Sequence, residues 1–142
     1  MVSTPGEFCY TLPPLRFGLF DLGGVLYHAN YFGLYEDARE ELLRREGYSY
    51  ESIAAGKAHL AIVETTQRFL RPIRYGDEVR LRIRSADIGR SSFTLKYRIE
   101  TSAYPDTVHE ASTRFVFVQE TAGQLKTSRL PPKLVAIIEK FS

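Results

Sequence analysis

The stretch Asp21-Leu22-Gly23-Gly24-Val25-Leu26-Tyr27-His28-Ala29-Asn30-Tyr31 decides how the chain is read. It opens on a carboxylate, passes a glycine pair and runs into the strongest helical pattern of the sequence. Gly23-Gly24 permits a tight turn with positive φ, or a close backbone approach that a Cβ would block. From Asn30 onward, Tyr31, Leu34, Tyr35, Ala38 and Leu42 recur at spacings of three and four, the period of a helix with one buried face. The helix is expected from about His28 or Asn30 to Glu46, with Asn30 as its cap and Gly47 ending it. An acid, a turn and a helix N-terminus therefore fall within about ten residues of one another. The unpaired N–H groups of a first helical turn suit an oxygen that becomes negative during a reaction. The stretch reads as an active site.

Outward from it, the pattern is one helix followed by strands. Upstream, residues 1–7 are expected to fray. Phe8 to Leu12 reads as a strand kept at an edge by Pro13-Pro14, and Leu15 to Phe20 as the strand that delivers Asp21. Downstream, Tyr48 to Lys57 reads as a loop with room for one short turn. After that the period changes to two. His59 to Leu70 is rich in β-branched and aromatic residues, and Val79, Leu81 and Ile83 alternate with Arg80, Arg82 and Arg84. Phe93, Leu95, Tyr97 and Ile99 alternate with Thr94, Lys96, Arg98 and Glu100, and Thr107 to Gln119 completes the set. The linkers Tyr75-Gly76-Asp77, Ile88-Gly89-Arg90 and Tyr104-Pro105-Asp106 are short enough to join antiparallel neighbours. Pro131-Pro132 precedes a last helix with Leu134, Ile137, Ile138 and Phe141 as its apolar stripe. This is an α+β pattern in which the helix covers one sheet face, and residues 1–142 are expected to form one domain.

Of 142 residues, 44% are hydrophobic and 25% charged, enough for a sizeable core. A net charge of +2 makes no case for wholesale nucleic-acid or membrane binding, and no nucleic-acid motif accompanies the arginines between Arg68 and Arg90. No apolar run approaches the roughly 20 residues that span a bilayer, and the first residues lack the basic-then-apolar order of a signal peptide. The single cysteine, Cys9, allows no intramolecular disulfide, so a cytoplasmic setting is the expectation. Three histidines without clustered ligand spacing give no support to a metal site. No Gly-x-Gly-x-x-Gly, Walker or Gly-x-Ser-x-Gly sequence is present.

Asp21, then Gly24-Val25-Leu26-Tyr27-His28-Ala29-Asn30-Tyr31, then Tyr35-Glu36 and Ala38-Arg39, resembles the hotdog-fold acyl-CoA thioesterases. The likeness is to the 4-hydroxybenzoyl-CoA thioesterase family, in particular its Tol–Pal-cluster subfamily, and covers roughly residues 15 to 120, most of one domain. Arg71-Pro72-Ile73-Arg74-Tyr75-Gly76-Asp77 is similar to the family's turn between its second and third strands. The chain departs from the subfamily at Gly18-Leu19-Phe20, where members usually carry a further acidic residue. The resemblance implies an antiparallel sheet wrapped around one long central helix, and subunits that pair as a homodimer or homotetramer to complete the site.

Thioester hydrolysis needs a nucleophile or base at the carbonyl carbon and donors at its oxygen. The resemblance implies that Asp21 attacks the carbonyl or activates water, and that the backbone N–H at His28 binds the thioester oxygen, in a turn shaped by Gly24 and Tyr27. The His28 imidazole is a second candidate, able to orient Asp21 or the substrate. Tyr27, Tyr31 and Tyr35 are candidate walls of an acyl pocket, with core packing as the competing reading for the last two. Glu64, read on the same strand face as Leu60, Ile62 and Thr66, joins the pocket, and Glu36 is a backup acid; a structural ion pair competes for both. Coenzyme A carries phosphates that call for fixed cations. Arg90, with Ser91, occupies a turn that contacts coenzyme A in similar thioesterases, and Arg80, Arg82 and Arg84 share a strand face. His59 and His109 read as structural.

The expected reaction is hydrolysis of an acyl-CoA to a free acid and coenzyme A, with no cofactor beyond the coenzyme A of the substrate. Candidate acyl groups are aromatic, such as 4-hydroxybenzoyl or 1,4-dihydroxy-2-naphthoyl, or short aliphatic. Two rivals use the same fold: a non-catalytic acyl-CoA-binding or interaction module, and a hotdog dehydratase with His28 as its catalytic histidine.

Overall fold

A computed structural model describes residues 5–142. In chain order the elements are β1 (Phe8–Thr11), α1 (Tyr31–Arg45), α2 (Tyr50–Ala55), β2 (Ala58–Phe69), β3 (Val79–Ala86), β4 (Ser92–Thr101), β5 (His109–Thr121), β6 (Gln124–Thr127) and α3 (Pro132–Lys140). The strands form one antiparallel sheet in the order β1-β3-β4-β5-β2, with β6 paired to β5. This is the hotdog arrangement, the sheet curling around α1.

The period of two sets the faces. Leu81, Ile83, Phe93, Tyr97, Ile99 and Phe115 are buried on the inner face. The residues between them, Arg82 opposite Arg98 and Arg84 opposite Lys96, line the outer face. The inner face receives α1 through Tyr31, Leu34, Tyr35, Ala38 and Leu42, the stripe that the helical period selects, and Leu134, Ile137 and Ile138 of α3 close one end of the core. One charged residue goes in with them. Arg39 donates through Nε to the Tyr50 hydroxyl at 2.6 Å and through a terminal nitrogen to the Tyr97 hydroxyl at 3.2 Å, with its guanidinium 4.9 Å from the Phe115 ring centroid. Burial pushes the Tyr97 phenol up to about 12, so it meets Arg39 as a neutral hydroxyl.

Several expectations are corrected. Leu15 to Phe20 is not a strand: Phe17–Leu19 is a 3₁₀ turn, and Phe20 makes only an isolated bridge with Leu26. The prolines before it and Gly18 within it favour local i→i+3 bonds over ladder pairing, and Leu19 N–H and Phe20 N–H donate to Arg16 O and Phe17 O. Asn30 does not cap α1; its backbone is already helical and its side chain points its amide elsewhere. The loop after Gly47 holds α2, capped by Ser49 Oγ accepting from Ser52 N–H at 3.2 Å. The hairpin β5–β6 leaves no alternation in the sequence because all four β6 residues are exposed; its signal is Ala122-Gly123, both at positive φ. Of the residues expected to fray, 1–4 lie outside the described residues. Glu7 is buried, pairing with Arg82 at 3.1 Å and Arg98 at 3.0 Å.

A bulge in β2 corrects the placement of Glu64. Ile62 pairs with Phe115 and Glu64 with Arg114, so Val63 is skipped. The extra residue turns Glu64 and Thr66 to the outer face, opposite to Leu60 and Ile62.

Tyr97→Phe leaves the buried Arg39 cation short of its interior acceptor. The expected cost is about 1–3 kcal/mol, read as a lower urea midpoint at unchanged slope.

Candidate active site

The Asp21 loop is fixed from both ends. Leu19 O accepts two hydrogen bonds, from Tyr27 N–H at 3.1 Å and from Asn30 Nδ2 at 2.8 Å, which draws the turn before Asp21 onto the 3₁₀ turn His28–Asn30 that leads into α1. Asp21 N–H donates to Val25 O at 2.9 Å, and Gly24 N–H to Asp21 O at 3.0 Å. Gly24 sits at φ +78°, a region L side chains rarely adopt, and a Cβ there would meet nothing within 4 Å. The requirement for glycine is therefore conformational, not one of space. Leu26 N–H donates to Ile73 O at 2.8 Å, and Phe17 and Phe20 pack edge-on against Tyr75, which docks the loop on the turn between β2 and β3.

Within this frame Asp21 is exposed. Its Oδ1 accepts from Gly23 N–H at 2.9 Å and from Val25 N–H at 3.3 Å, which orients the carboxylate. The plain turn role is thus real, and it engages one oxygen; Oδ2 has no hydrogen-bond partner among the described residues. His28 begins the 3₁₀ turn. Its backbone N–H has no acceptor among the described residues, because the chain enters the turn from extended backbone at Tyr27. Its imidazole is exposed and lies against the Tyr27 ring, 4.4 Å between centroids. The loop thus presents an oriented carboxylate oxygen and a free helix-start donor, the two elements that acyl transfer uses.

Tyr31 and Tyr35 face inward. Tyr31 stacks on His109 at 4.1 Å between centroids, Phe69 packs edge-on to both rings, and the Tyr35 hydroxyl hydrogen-bonds His109 Nδ1. Burial raises both phenols, with the Ile73 backbone beside Tyr31 pulling the other way, and lowers His109 to about 4. Tyr31 and Tyr27 belong to the neighbourhood of the Asp21 loop; Glu64, on the outer face, does not.

Arg90 and Ser91 lie in the turn between β3 and β4, at the far end of β3 from the Asp21 loop. Arg90 lines an open cleft of about 510 Å³ with Arg129, Leu130, Pro132, Val135 and Glu139. Arg129 is the residue that sequence reading missed; Leu130 N–H donating to Arg90 O brings the two arginines to one cleft, and only tertiary pairing reveals it. Arg80 and Arg82 are engaged elsewhere, with Thr101 O and with Glu7 and Glu100. No cluster of three or more metal-ligating side chains occurs among the described residues, and no helix there is long and apolar enough to cross a membrane.

A family model for the Thioesterase-like superfamily matches residues 15–138. The chain belongs to that superfamily. The acyl-CoA thioester hydrolase YbgC of Escherichia coli is 29% identical over 116 residues, covering 82% of this chain and 84% of the relative. The 1,4-dihydroxy-2-naphthoyl-CoA hydrolase of Nostoc punctiforme is 28% identical, covering 88% and 82%. Among solved structures, the 1,4-dihydroxy-2-naphthoyl-CoA thioesterase of Synechocystis superposes with a TM-score of 0.83 at 22% identity, over 93% of this chain and 95% of its own. A 4-hydroxybenzoyl-CoA thioesterase mutant complexed with 4-hydroxybenzoyl-CoA superposes with a TM-score of 0.81 at 16% identity, over 93% and 98%. These likenesses show the same fold.

His109 makes stability pH-dependent. Its imidazole is fully buried and charges near 4 in the folded state, against 6.5 when unfolded. The folded state therefore binds fewer protons between those values, and the contribution is complete above about 6.5 and lost as pH falls toward 4. A decline on the order of 3 kcal/mol is expected over that window, followed by urea titration at each pH; His109→Phe should flatten it.

Proposed function

We propose that the protein hydrolyses an acyl-CoA thioester to a carboxylate and free coenzyme A. The observation that carries this reading is the loop tied at Leu19 O, which carries the Asp21 carboxylate and leads into the 3₁₀ turn whose first N–H, at His28, has no acceptor among the described residues. The named activities of the relatives support it. Asp21 Oδ2 either attacks the carbonyl carbon, expelling the coenzyme A thiolate and leaving an anhydride for water to open, or draws a proton from an attacking water. In both routes the oxygen of the thioester gains negative charge, and the His28 N–H, which opens the 3₁₀ turn without an acceptor among the described residues, is a donor for it. The reaction needs no cofactor beyond the coenzyme A of the substrate.

A homo-oligomer fits this reading better than a single chain. β2 is an edge strand of twelve residues with Ile62, Val63 and Phe69 more than half exposed, an open template for a second copy. β3 separates the Asp21 loop from Arg90 by eight residues at about 3.3 Å each, on the order of 26 Å. Antiparallel pairing of two β2 edges would bring the Arg90 turn of one copy to the same end of the combined sheet as Asp21 of the other. Arg90 and Arg129 would then hold the phosphates of a coenzyme A whose thioester reaches the partner's loop. A reducing cytoplasmic setting accords with a single cysteine, Cys9, that forms no disulfide.

Asp21→Asn should lower kcat at least a hundredfold, with acyl-CoA still bound. Release of free coenzyme A across benzoyl, naphthoyl and aliphatic acyl-CoAs is the assay. Binding without release in the parent protein would leave a binding module instead. Arg90→Ala with Arg129→Ala should raise KM for acyl-CoA at least tenfold and leave turnover of the matching N-acetylcysteamine thioester unchanged, since that substrate lacks the nucleotide.

A further inference from the structure

Positive charge gathers away from the Asp21 loop, on the outer face of the sheet. A cavity of about 390 Å³ there is lined by Arg68, Arg82, Arg84, Lys96 and Arg98, against two carboxylates, Glu7 and Glu110. That local excess is larger than the net charge of +2 carried by the whole chain. A cleft lined by one sign of charge focuses the field and gathers counter-ions, and the volume is in the range of small-molecule sites.

Most of these cations are used internally. Glu7 pairs with Arg82 at 3.1 Å and with Arg98 at 3.0 Å, Glu100 pairs with Arg82, and Glu110 pairs with Arg68 at 3.3 Å. Arg84 and Lys96 are the exception. Among the described residues, no carboxylate lies within 4.0 Å of either side chain, and neither side chain donates a hydrogen bond. They face each other directly across β3 and β4. Like charges so placed destabilise a sheet, a cost that an anion held between them removes.

The register shows what lies beside the pair. Lys96 is opposite Ser112, and Ser112 is opposite Thr66. Arg84, Lys96, Ser112 and Thr66 therefore form one row across β3, β4, β5 and β2, and all four line the cavity. The row spans three inter-strand gaps of about 4.8 Å, on the order of 14 Å. Its ends differ in chemistry. At one end, a guanidinium fork and an ammonium suit a phosphate with two negative charges. At the other, the Ser112 and Thr66 hydroxyls have no hydrogen-bond partner from another side chain but Thr66 and Ser112 stand free among the described residues, and suit neutral hydroxyl groups. Inorganic phosphate would use the first end alone, and an apolar ligand neither.

We propose that this row is a second binding site, for a small phosphate monoester with a hydroxyl-bearing organic part. Arg84 and Lys96 take the phosphate; Ser112 and Thr66 take the hydroxyls. The site is separate from the acyl-CoA reading. The Arg90–Arg129 cleft is formed against α3, which packs on the inner face, and it shares no lining residue with this cavity. No residue of the Asp21 loop lines it either. Pairing of two β2 edges extends the sheet in its own plane and leaves the outer face open.

The test is isothermal titration calorimetry of the full chain at low ionic strength, where charge is least screened, with ribose 5-phosphate, inorganic phosphate and ribose. The parent should bind ribose 5-phosphate saturably, at least threefold tighter than phosphate, and should not bind ribose. Arg84→Gln with Lys96→Gln should weaken both phosphates at least tenfold. Ser112→Ala with Thr66→Val should erase the difference between them, and Arg90→Ala with Arg129→Ala should change neither by more than twofold. Lys96→Glu, which gives Arg84 a partner, should abolish binding and raise the urea midpoint, so that its loss of binding is not loss of fold. The proposal is overturned by a parent that does not bind ribose 5-phosphate or binds it no tighter than phosphate. It is equally overturned by binding that survives Arg84→Gln with Lys96→Gln, or that disappears with Arg90→Ala and Arg129→Ala. No arm uses an acyl-CoA, so the outcome is independent of thioester hydrolysis.

Discussion

The carbonyl of Leu19 is the point on which the site depends. By accepting from both the Tyr27 backbone and the Asn30 side chain, it brings the turn before Asp21 and the start of α1 to one atom. Without that pair of bonds the segment between Leu19 and Tyr27 would be an ordinary exposed loop, free to sample many geometries. With it, the carboxylate of Asp21 and the open N–H of His28 are parts of one hydrogen-bonded segment. The remaining supports serve the same end: Gly24 takes the positive φ that closes the turn, and Ile73 and Tyr75 anchor the loop to the β2–β3 connection.

The sheet divides the work between its ends. At one end lie the Asp21 loop, the last residues of β2 and the first of β5, with Tyr31, Phe69, Gln67 and His109 between helix and sheet. At the other lie Arg90, Arg129 and the N-terminus of α3 around an open cleft. Between them, the outer face spends its arginines on structure, Glu7 bridging Arg82 and Arg98, which would otherwise oppose each other as like charges. Under the proposed pairing of two chains, a long substrate with a charged nucleotide at one end and an acyl group at the other suits such a layout.

Much of this was legible in the sequence. The α1 stripe and the alternation in β3 and β4 come from burial of one face, which leaves a periodic trace, and Gly24 marks its own turn. What was not legible depends on partners distant in the chain. Asn30 looks like a cap until Leu19 is beside it. Glu64 looks inward until one skipped residue at Val63 inverts the strand. Leu15 to Phe20 has strand composition but no neighbouring strand to pair with, and β6 has a partner but no buried face. Gln67 and His109 are single polar residues in strands; only the three-dimensional arrangement shows that both amide atoms of Gln67 and Nε2 of His109 are buried and unpaired.

The most direct test of the central claim is a crystal structure of the Asp21→Asn protein holding an unhydrolysed acyl-CoA. The account predicts the thioester oxygen within hydrogen-bonding distance of the His28 N–H, and the carbonyl carbon within reach of the residue 21 side chain. A thioester bound away from both, with the loop between Leu19 and Asn30 unchanged, would contradict it.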